Sequence, residues 1–272
     1  NSIATHLKKL LGNRVKTNRA LAPLSTFRIG GKAEYFFEAR TAKELVHAYR
    51  AARELKLPFH TVAGGSNAVF TDGLLRGLLT QVKSKKLKVK DKKITADAGV
   101  DLQRLIRTSI HHGLKGLETL SGIPGSVGGA IVGNAGAYGH EISETLRKVE
   151  IFDGEKRIWL SKSDCKFSYR DSIFKHKPWL LLNAGLSFSK GSKKKLKKIS
   201  RDIIAIRLKK YNPSLRCPGS FFKNILVKEL SQKTLKIIDR SKIIKGKLPT
   251  GWLLEQVGAK GMRKGGIEIA AW

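Results

Sequence analysis

Between Ser121 and Gly139 the chain reads SGIPGSVGGAIVGNAGAYG, seven glycines in nineteen residues with no charged side chain among them. Glycine loses more conformational entropy on folding than any other residue, so such density constrains what the chain can become. Backbone here must approach something that a Cβ would obstruct, such as a phosphate or a large flat ring. A flexible linker is the alternative, but Ile123, Pro124, Val127, Ile131 and Val132 are poor linker residues.

A chain of 272 residues can bury a substantial core and is long enough for two or three domains. No run approaches the roughly 20 apolar residues of a membrane span, and the charged N-terminal stretch does not read as a signal peptide. Cys165 and Cys217 lie far apart, without a CxxC or a nearby histidine cluster. That argues against a zinc site or a disulfide framework and for a reducing cytoplasm; no metal is expected.

The net charge is +33, and from Lys190 onward 22 Lys and Arg face only 5 Asp and Glu. Nucleic acid, an anionic substrate and a solvated lysine-rich surface all fit such an excess. With 7% aromatics and no RNP, helix-turn-helix or zinc-finger pattern, nucleic acid is not expected as the main partner.

Local signals place the elements. Thr41 and Glu44 form a capping box ahead of a helical stripe of Leu45, Ala48, Ala52 and Leu55, which ends before Pro58. His60–Ala63 then reads as a strand running into Gly64-Gly65-Ser66-Asn67. Asp101 caps a second helix, with Leu102, Leu105, Ile106 and Ile110 on one face and Gly113 as its stop. Asp153-Gly154 marks a hairpin. Lys193–Tyr211 reads as a basic helix with Leu196, Ile199, Ile203 and Ile206 at core spacing, and Thr250 opens a last helix stopped by Gly258. Charged stretches at Lys83–Lys93 and Ser189–Lys198 are candidate boundaries. They divide the chain into lobes 1–83 and 84–191 and a third domain, 192–272.

The loop VAGGSNAVFTDG (Val62–Gly73) follows a strand and is neither GxGxxG nor GxxxxGK[ST], so Rossmann and P-loop readings do not apply. Paired with Ser121–Gly139 it suggests a dinucleotide held between two small α+β lobes. This pair resembles the two FAD-binding loops of flavoproteins whose flavin domain is like that of p-cresol methylhydroxylase. The order of STFRIGGKAEYF, VAGGSNAVF, GLETLSGIPGSVGGAIVGNAGAYG, FSYRDSIFK, CPGSFFKN and GWLLEQVGAKG is similar to that of the UDP-N-acetylenolpyruvoylglucosamine reductase (UDP-N-acetylmuramate dehydrogenase) family, and these pieces span nearly the whole chain.

The resemblance implies an α+β fold: a two-lobed FAD-binding domain followed by a smaller α+β domain for a UDP-sugar. It implies non-covalent FAD, NADPH as reductant, and reduction of an enolpyruvyl ether to a lactyl ether in peptidoglycan precursor synthesis. Gly64, Gly65, Ser66 and Asn67 in the first loop would hold the cofactor. In the second loop the cofactor residues would be Gly122, Ile123, Pro124, Gly125, Ser126, Gly128, Gly129, Ala130, Asn134, Gly136 and Ala137. The chemistry needs a fixed cation at the substrate carboxylate and a proton donor at the adjoining carbon. By the resemblance these are Arg170 in SYRDS and Ser220 in CPGSFFKN. Guanidinium suits the first task because it meets a carboxylate as a planar fork. Tyr169, Lys210, Lys223 and Asn224 would bind substrate, although core packing is an equal reading of Tyr169.

The chain departs from the family at its end. The family's third catalytic residue, a glutamate after an LEPE-like segment, has no counterpart, and Glu268 lies in a different context. Truncation, substitution by another group and inactivity remain alternatives, with truncation the expectation. The short span between Arg170 and Ser220 places the chain with the subclass lacking an extra tyrosine-bearing loop. Expected besides are a cytoplasmic location, no membrane partner, and a monomer or weak oligomer. The rival readings are a flavin-binding homologue without catalysis and a basic nucleic-acid-binding protein.

Overall fold

The computed structural model describes residues 2–210 and 214–270, without the side chain of Lys210. The chain divides into two compact units, Asn1–Pro218 and Gly219–Trp272.

The described residues of the first unit form two large sheets and two two-stranded pairs. One has four strands in the order β1-β2-β4-β3, formed by β1 (Lys16–Ala20), β2 (Lys32–Ala39), β3 (Phe59–Val62) and β4 (Leu74–Val82). β4 runs parallel to both of its neighbours, and β1 is antiparallel to β2. Both faces are covered. Tyr35, Phe37 and Ala39 of β2 pack with α1 (Ser2–Leu11) and α2 (Ala42–Glu54), while Phe36 joins Leu21, Leu24 and Leu79 behind the sheet. Ala33 shares a face with Phe36 rather than with the other odd-numbered residues, because the β2–β4 register shifts between Ala33 and Tyr35. A bulge of this kind reverses the inward–outward alternation.

Thr41 starts α2 as expected, its Oγ1 accepting the Glu44 N–H at 3.1 Å. The Glu44 carboxylate turns back to accept the Arg40 N–H at 2.8 Å and meets Arg14 at 2.7 Å. Burial raises the Glu44 pKa, but those hydrogen bonds and charges outweigh it and leave the carboxyl below its ordinary value.

The second sheet is antiparallel throughout, in the order Arg157–Ser161, Leu146–Phe152, Leu180–Ser187, β6 (Lys93–Asp97), β5 (Leu87–Lys90). The lysine-rich stretch around residue 88 is therefore an edge hairpin, where solvated lysines discourage pairing with another chain. α3 (Leu102–His111) lays Leu102, Leu105, Ile106 and Ile110 on this core; Asp101 caps it by accepting the Arg104 N–H at 2.8 Å. α4 (Val127–Val132) is a short helix within the glycine-rich stretch.

α5 (Lys193–Lys210) forms where the pattern places it, but only part of its expected apolar face is buried. Leu196 and Ile203 are inside, whereas Ile199 and Ile206 are 38% and 53% exposed. The inward stripe is Leu196, Ser200, Ile203 and Arg207, so two of its four positions are polar.

In the second unit, α6 (Gln232–Ile237) and α7 (Thr250–Gln256) accompany two-residue strand pairs. Leu248 and Ala259 are its buried apolar residues among those described, and Ile237, Val257 and Phe221 are largely exposed. No helix among the described residues is long and apolar enough to cross a membrane.

Candidate flavin site

The first glycine loop leaves β3 and is seated on the segment before β2. Gly65 has φ +60°, its carbonyl accepts the Thr26 N–H at 3.2 Å, and a Cβ there would lie 1.9 Å from the Leu24 carbonyl oxygen. Gln81 of β4 anchors the same loop through the Ala63 carbonyl at 3.0 Å. Ser66 is half-buried, and Gly64 and Asn67 are exposed.

The second loop is held from α3. Gln103 accepts the Gly122 N–H and donates to the Ile123 carbonyl, each at 2.7 Å, and the Gly125 carbonyl accepts the Leu102 N–H at 2.9 Å. Ser126 then caps α4 by accepting the Gly129 N–H at 3.1 Å. The Val127 and Gly128 amides donate to Val100 and Ala98 at 2.8 Å each, so this part of the stretch faces the core. Gly129 is exposed and Ala130 buried, while Gly136 and Ala137 pair with His140 and Glu141 as a small hairpin. From the other side α5 closes on the loop: a Cβ at Gly122 would lie 2.8 Å from the Arg207 Cδ, and the Ser200 and Ser121 hydroxyls are 2.8 Å apart. Pro124 projects outward from this stretch.

The two loops, about sixty residues apart in sequence, meet. A Cβ on Gly64 would be 3.7 Å from the Gly125 Cα, and one on Gly125 would be 2.9 Å from the Ser66 Oγ. What meets there is glycine backbone and the Ser66 hydroxyl, groups that let a diphosphate chain or a flat ring approach closely. These residues fit a dinucleotide flavin.

Arg170 lies at the corner of a tight turn beside the second loop. Ser168 and Asp171 exchange backbone hydrogen bonds at 3.1 and 3.2 Å, leaving Tyr169 and Arg170 as the two central residues. Arg170 is exposed with φ +58°, and Tyr169 is half-buried. Asn134 Nδ2 donates to the Ser168 carbonyl at 2.9 Å, and the Ser172 hydroxyl donates to the Val132 carbonyl at 2.7 Å. Asp171 pairs with His176 at 2.9 Å, and this hydrogen bond holds its carboxyl below the ordinary value. Close by, burial pushes the Cys165 thiol up to about 11, and its Sγ donates to the Ser161 carbonyl.

The remaining expected residues lie elsewhere. Ser220 is exposed in the second unit, after Gly219 at φ +89°. There Asn224 Oδ1 accepts the Thr250 N–H at 3.3 Å and the Lys223 carbonyl accepts the Thr250 hydroxyl at 2.7 Å, so this pair holds the start of α7. Lys210 ends α5, and its side chain falls outside the described residues. Gln103, Ser172 and the Asn134–Ser168 contact are additions that the sequence pattern did not single out. Gln103 had a faint signal, a polar residue between Leu102 and the next buried turn.

Comparison with known proteins gives this geometry its class. Residues 33–159 match the FAD binding domain family. The protein is a flavin-dependent oxidoreductase with an α+β fold. UDP-N-acetylenolpyruvoylglucosamine reductase of Solibacter usitatus is 43% identical over 257 residues, covering 94% of this chain and 82% of the relative. The enzyme of that name from Synechococcus sp. is 34% identical over 266 residues, covering 96% and 78%. The crystal structure of the Thermus caldophilus reductase superposes with a TM-score of 0.71 at 25% identity, covering 94% of this chain and 84% of that one. A more distant structure, the glucose dehydrogenase Phl p 4.0202, shares the fold alone, with a TM-score of 0.56 at 12% identity over 71% of this chain and 45% of that one. The chain belongs to the UDP-N-acetylenolpyruvoylglucosamine reductase family.

Proposed function

We propose that this protein reduces the enolpyruvyl ether of UDP-N-acetylglucosamine to the lactyl ether of UDP-N-acetylmuramate, with NADPH as reductant, in peptidoglycan precursor synthesis in the cytoplasm. The observation that carries this reading is the convergence of both glycine loops with the Arg170 turn pinned to the second of them. Lobes 1–83 and 84–191 hold non-covalent FAD, and residues 192–272 serve the UDP-sugar. The two large sheets of the first unit, built from residues 16–82 and 87–187, support the lobe division.

Within the first loop, Gly64, Gly65, Ser66 and Asn67 hold the cofactor. Within the second, Gly122–Ser126, Gly129 and Ala130 do so, with Asn134, Gly136 and Ala137 completing the cradle; Gly128, buried with its amide bonded to the Ala98 carbonyl, instead seats the stretch on the core. FAD held in this cradle and reduced by NADPH would supply hydride to the methylene carbon of the enolpyruvyl group. Arg170 neutralises the substrate carboxylate and the charge that spreads into it as the double bond is lost. Ser220 gives its proton to the carbon bearing the ether oxygen and carboxylate, and recovers it from solvent. Tyr169, Lys210, Lys223 and Asn224 bind the substrate, the lysines through the diphosphate.

With NADPH in D2O, label is expected on the carbon next to the carboxylate, where Ser220 delivers a solvent-derived proton; the methyl carbon keeps hydrogen from NADPH only as far as transfer outruns exchange of the reduced flavin N–H with water. Arg170→Ala and Ser220→Ala are each expected to slow turnover by about 100- to 1000-fold. Unchanged rates in either variant would remove that residue from the mechanism. Flavin that NADPH reduces but the sugar never reoxidises would instead indicate a flavin-binding homologue.

A further inference from the structure

We infer that Ser172, Asn134 and Lys175 are positioning residues for Arg170, locking its turn to the second glycine loop. This rests on the function proposed above. An L-residue with φ +58° sits in the left-handed region, which arginine does not favour, and glycine or asparagine normally fills that turn position. Such a conformation persists only where the surroundings over-determine it, and it marks a place where orientation matters more than local stability.

The surroundings here are specific. The Ser168 carbonyl accepts from Asn134 Nδ2 at 2.9 Å as well as from the Asp171 N–H at 3.2 Å, so the turn's closing group is held from outside. On the other flank, the Ser172 hydroxyl donates to the Val132 carbonyl at 2.7 Å. Both contacts land on the three residues 132–134 of the glycine loop. Ser172 and Asn134 are each 1% exposed, so water cannot substitute for either partner without opening the site. Between these anchors, Lys175 Nζ donates to the Arg170 carbonyl itself at 2.6 Å. Asn134 is itself left-handed, at φ +39°, and its amide also donates to Glu141 at 2.7 Å, which fixes the orientation of the side chain that does the holding.

Three hydrogen bonds therefore fix the backbone on both sides of one exposed guanidinium and tie it to the loop proposed to carry flavin. A misplacement of about 1 Å in a catalytic group costs on the order of 100-fold in rate. That sensitivity gives a strained but held arginine its use. The family resemblance assigns Asn134 to the cofactor. The contacts give it this second task, and Ser172 and Lys175 had none.

The test uses the flavin-loaded protein with Ser172→Ala and with Lys175→Met; the latter changes an exposed side chain, so it decides if Ser172→Ala does not fold. Bleaching by NADPH is expected to keep its wild-type rate. Reoxidation by the enolpyruvyl UDP-sugar is expected to slow by about 10- to 100-fold. In an Arg170→Ala background neither change should slow reoxidation further, because the residue they position is gone. A second readout is independent of activity: hydrogen exchange at the Asp171 amide, which closes the turn, should accelerate in both variants, with or without flavin. Wild-type reoxidation rates, unchanged exchange at Asp171, or equal slowing with and without Arg170 would each overturn the inference while leaving the proposed reaction intact. A wild-type protein that the sugar does not reoxidise would refute the proposed reaction, and the positioning role with it.

Discussion

Arg170 and Cys165 show how neighbouring residues diverge in chemistry through their surroundings. Arg170 is exposed on a turn that holds it in a left-handed conformation, whereas Cys165, five residues earlier, is fully buried. Burial, with the charge of Asp164 adding to it, pushes the Cys165 thiol up to about 11, so the reactive thiolate is scarce at neutral pH. Cys217 is exposed. Mass spectrometry after iodoacetamide treatment of the native protein at neutral pH should therefore find label on Cys217 and not on Cys165. Unfolding in denaturant should expose both. Label on native Cys165 would show that the segment ahead of the Arg170 turn opens readily.

At the scale of elements, the glycine loops are held by close backbone approach, and this can be separated from backbone strain. Gly65 and Gly258 have similar φ values, +60° and +65°, but a Cβ at Gly65 would strike the Leu24 carbonyl, while one at Gly258 meets nothing within 4 Å. Gly258→Ala is expected to cost only left-handed strain, about 1–2 kcal/mol. Gly65→Ala should cost clearly more and also lower flavin content, measured by urea denaturation and by flavin absorbance. Equal costs would mean that the loop relaxes away from Leu24. Much at this scale is legible from local chemistry: Thr41 and Asp101 mark the starts of α2 and α3, and Gly113 the end of α3. α5 is less legible, because apolar periodicity promotes Ile199 and Ile206 while the buried stripe uses Ser200 and Arg207 against the glycine loop. The ties at Asn134 and Ser172 were not legible. They join polar side chains to backbone carbonyls 34 and 40 residues away, and an asparagine or serine carries no mark of such a distant partner.

For the whole molecule, the +33 charge suits the ligands of the proposed reaction, which would all be anionic: a nucleotide cofactor, a nucleoside diphosphate sugar and a carboxylate. Long-range attraction of this kind raises encounter rates and is screened by salt. Raising ionic strength from about 0.01 to about 0.15 M shortens the Debye length from about 30 to about 8 Å, so kcat/KM for the UDP-sugar should fall severalfold while kcat holds. A flat kcat/KM would assign the lysines to the solvated surface, as at the β5–β6 edge. The proposed reaction needs one flavin site, built from the two converging glycine loops, to take electrons from NADPH and pass them to an enolpyruvyl sugar. The most direct measurement is an anaerobic single turnover followed by flavin absorbance near 450 nm. Bleaching is expected on adding one equivalent of NADPH, then full return of the yellow colour on adding one equivalent of enolpyruvyl UDP-N-acetylglucosamine. A protein that stays bleached in the presence of the sugar would contradict it.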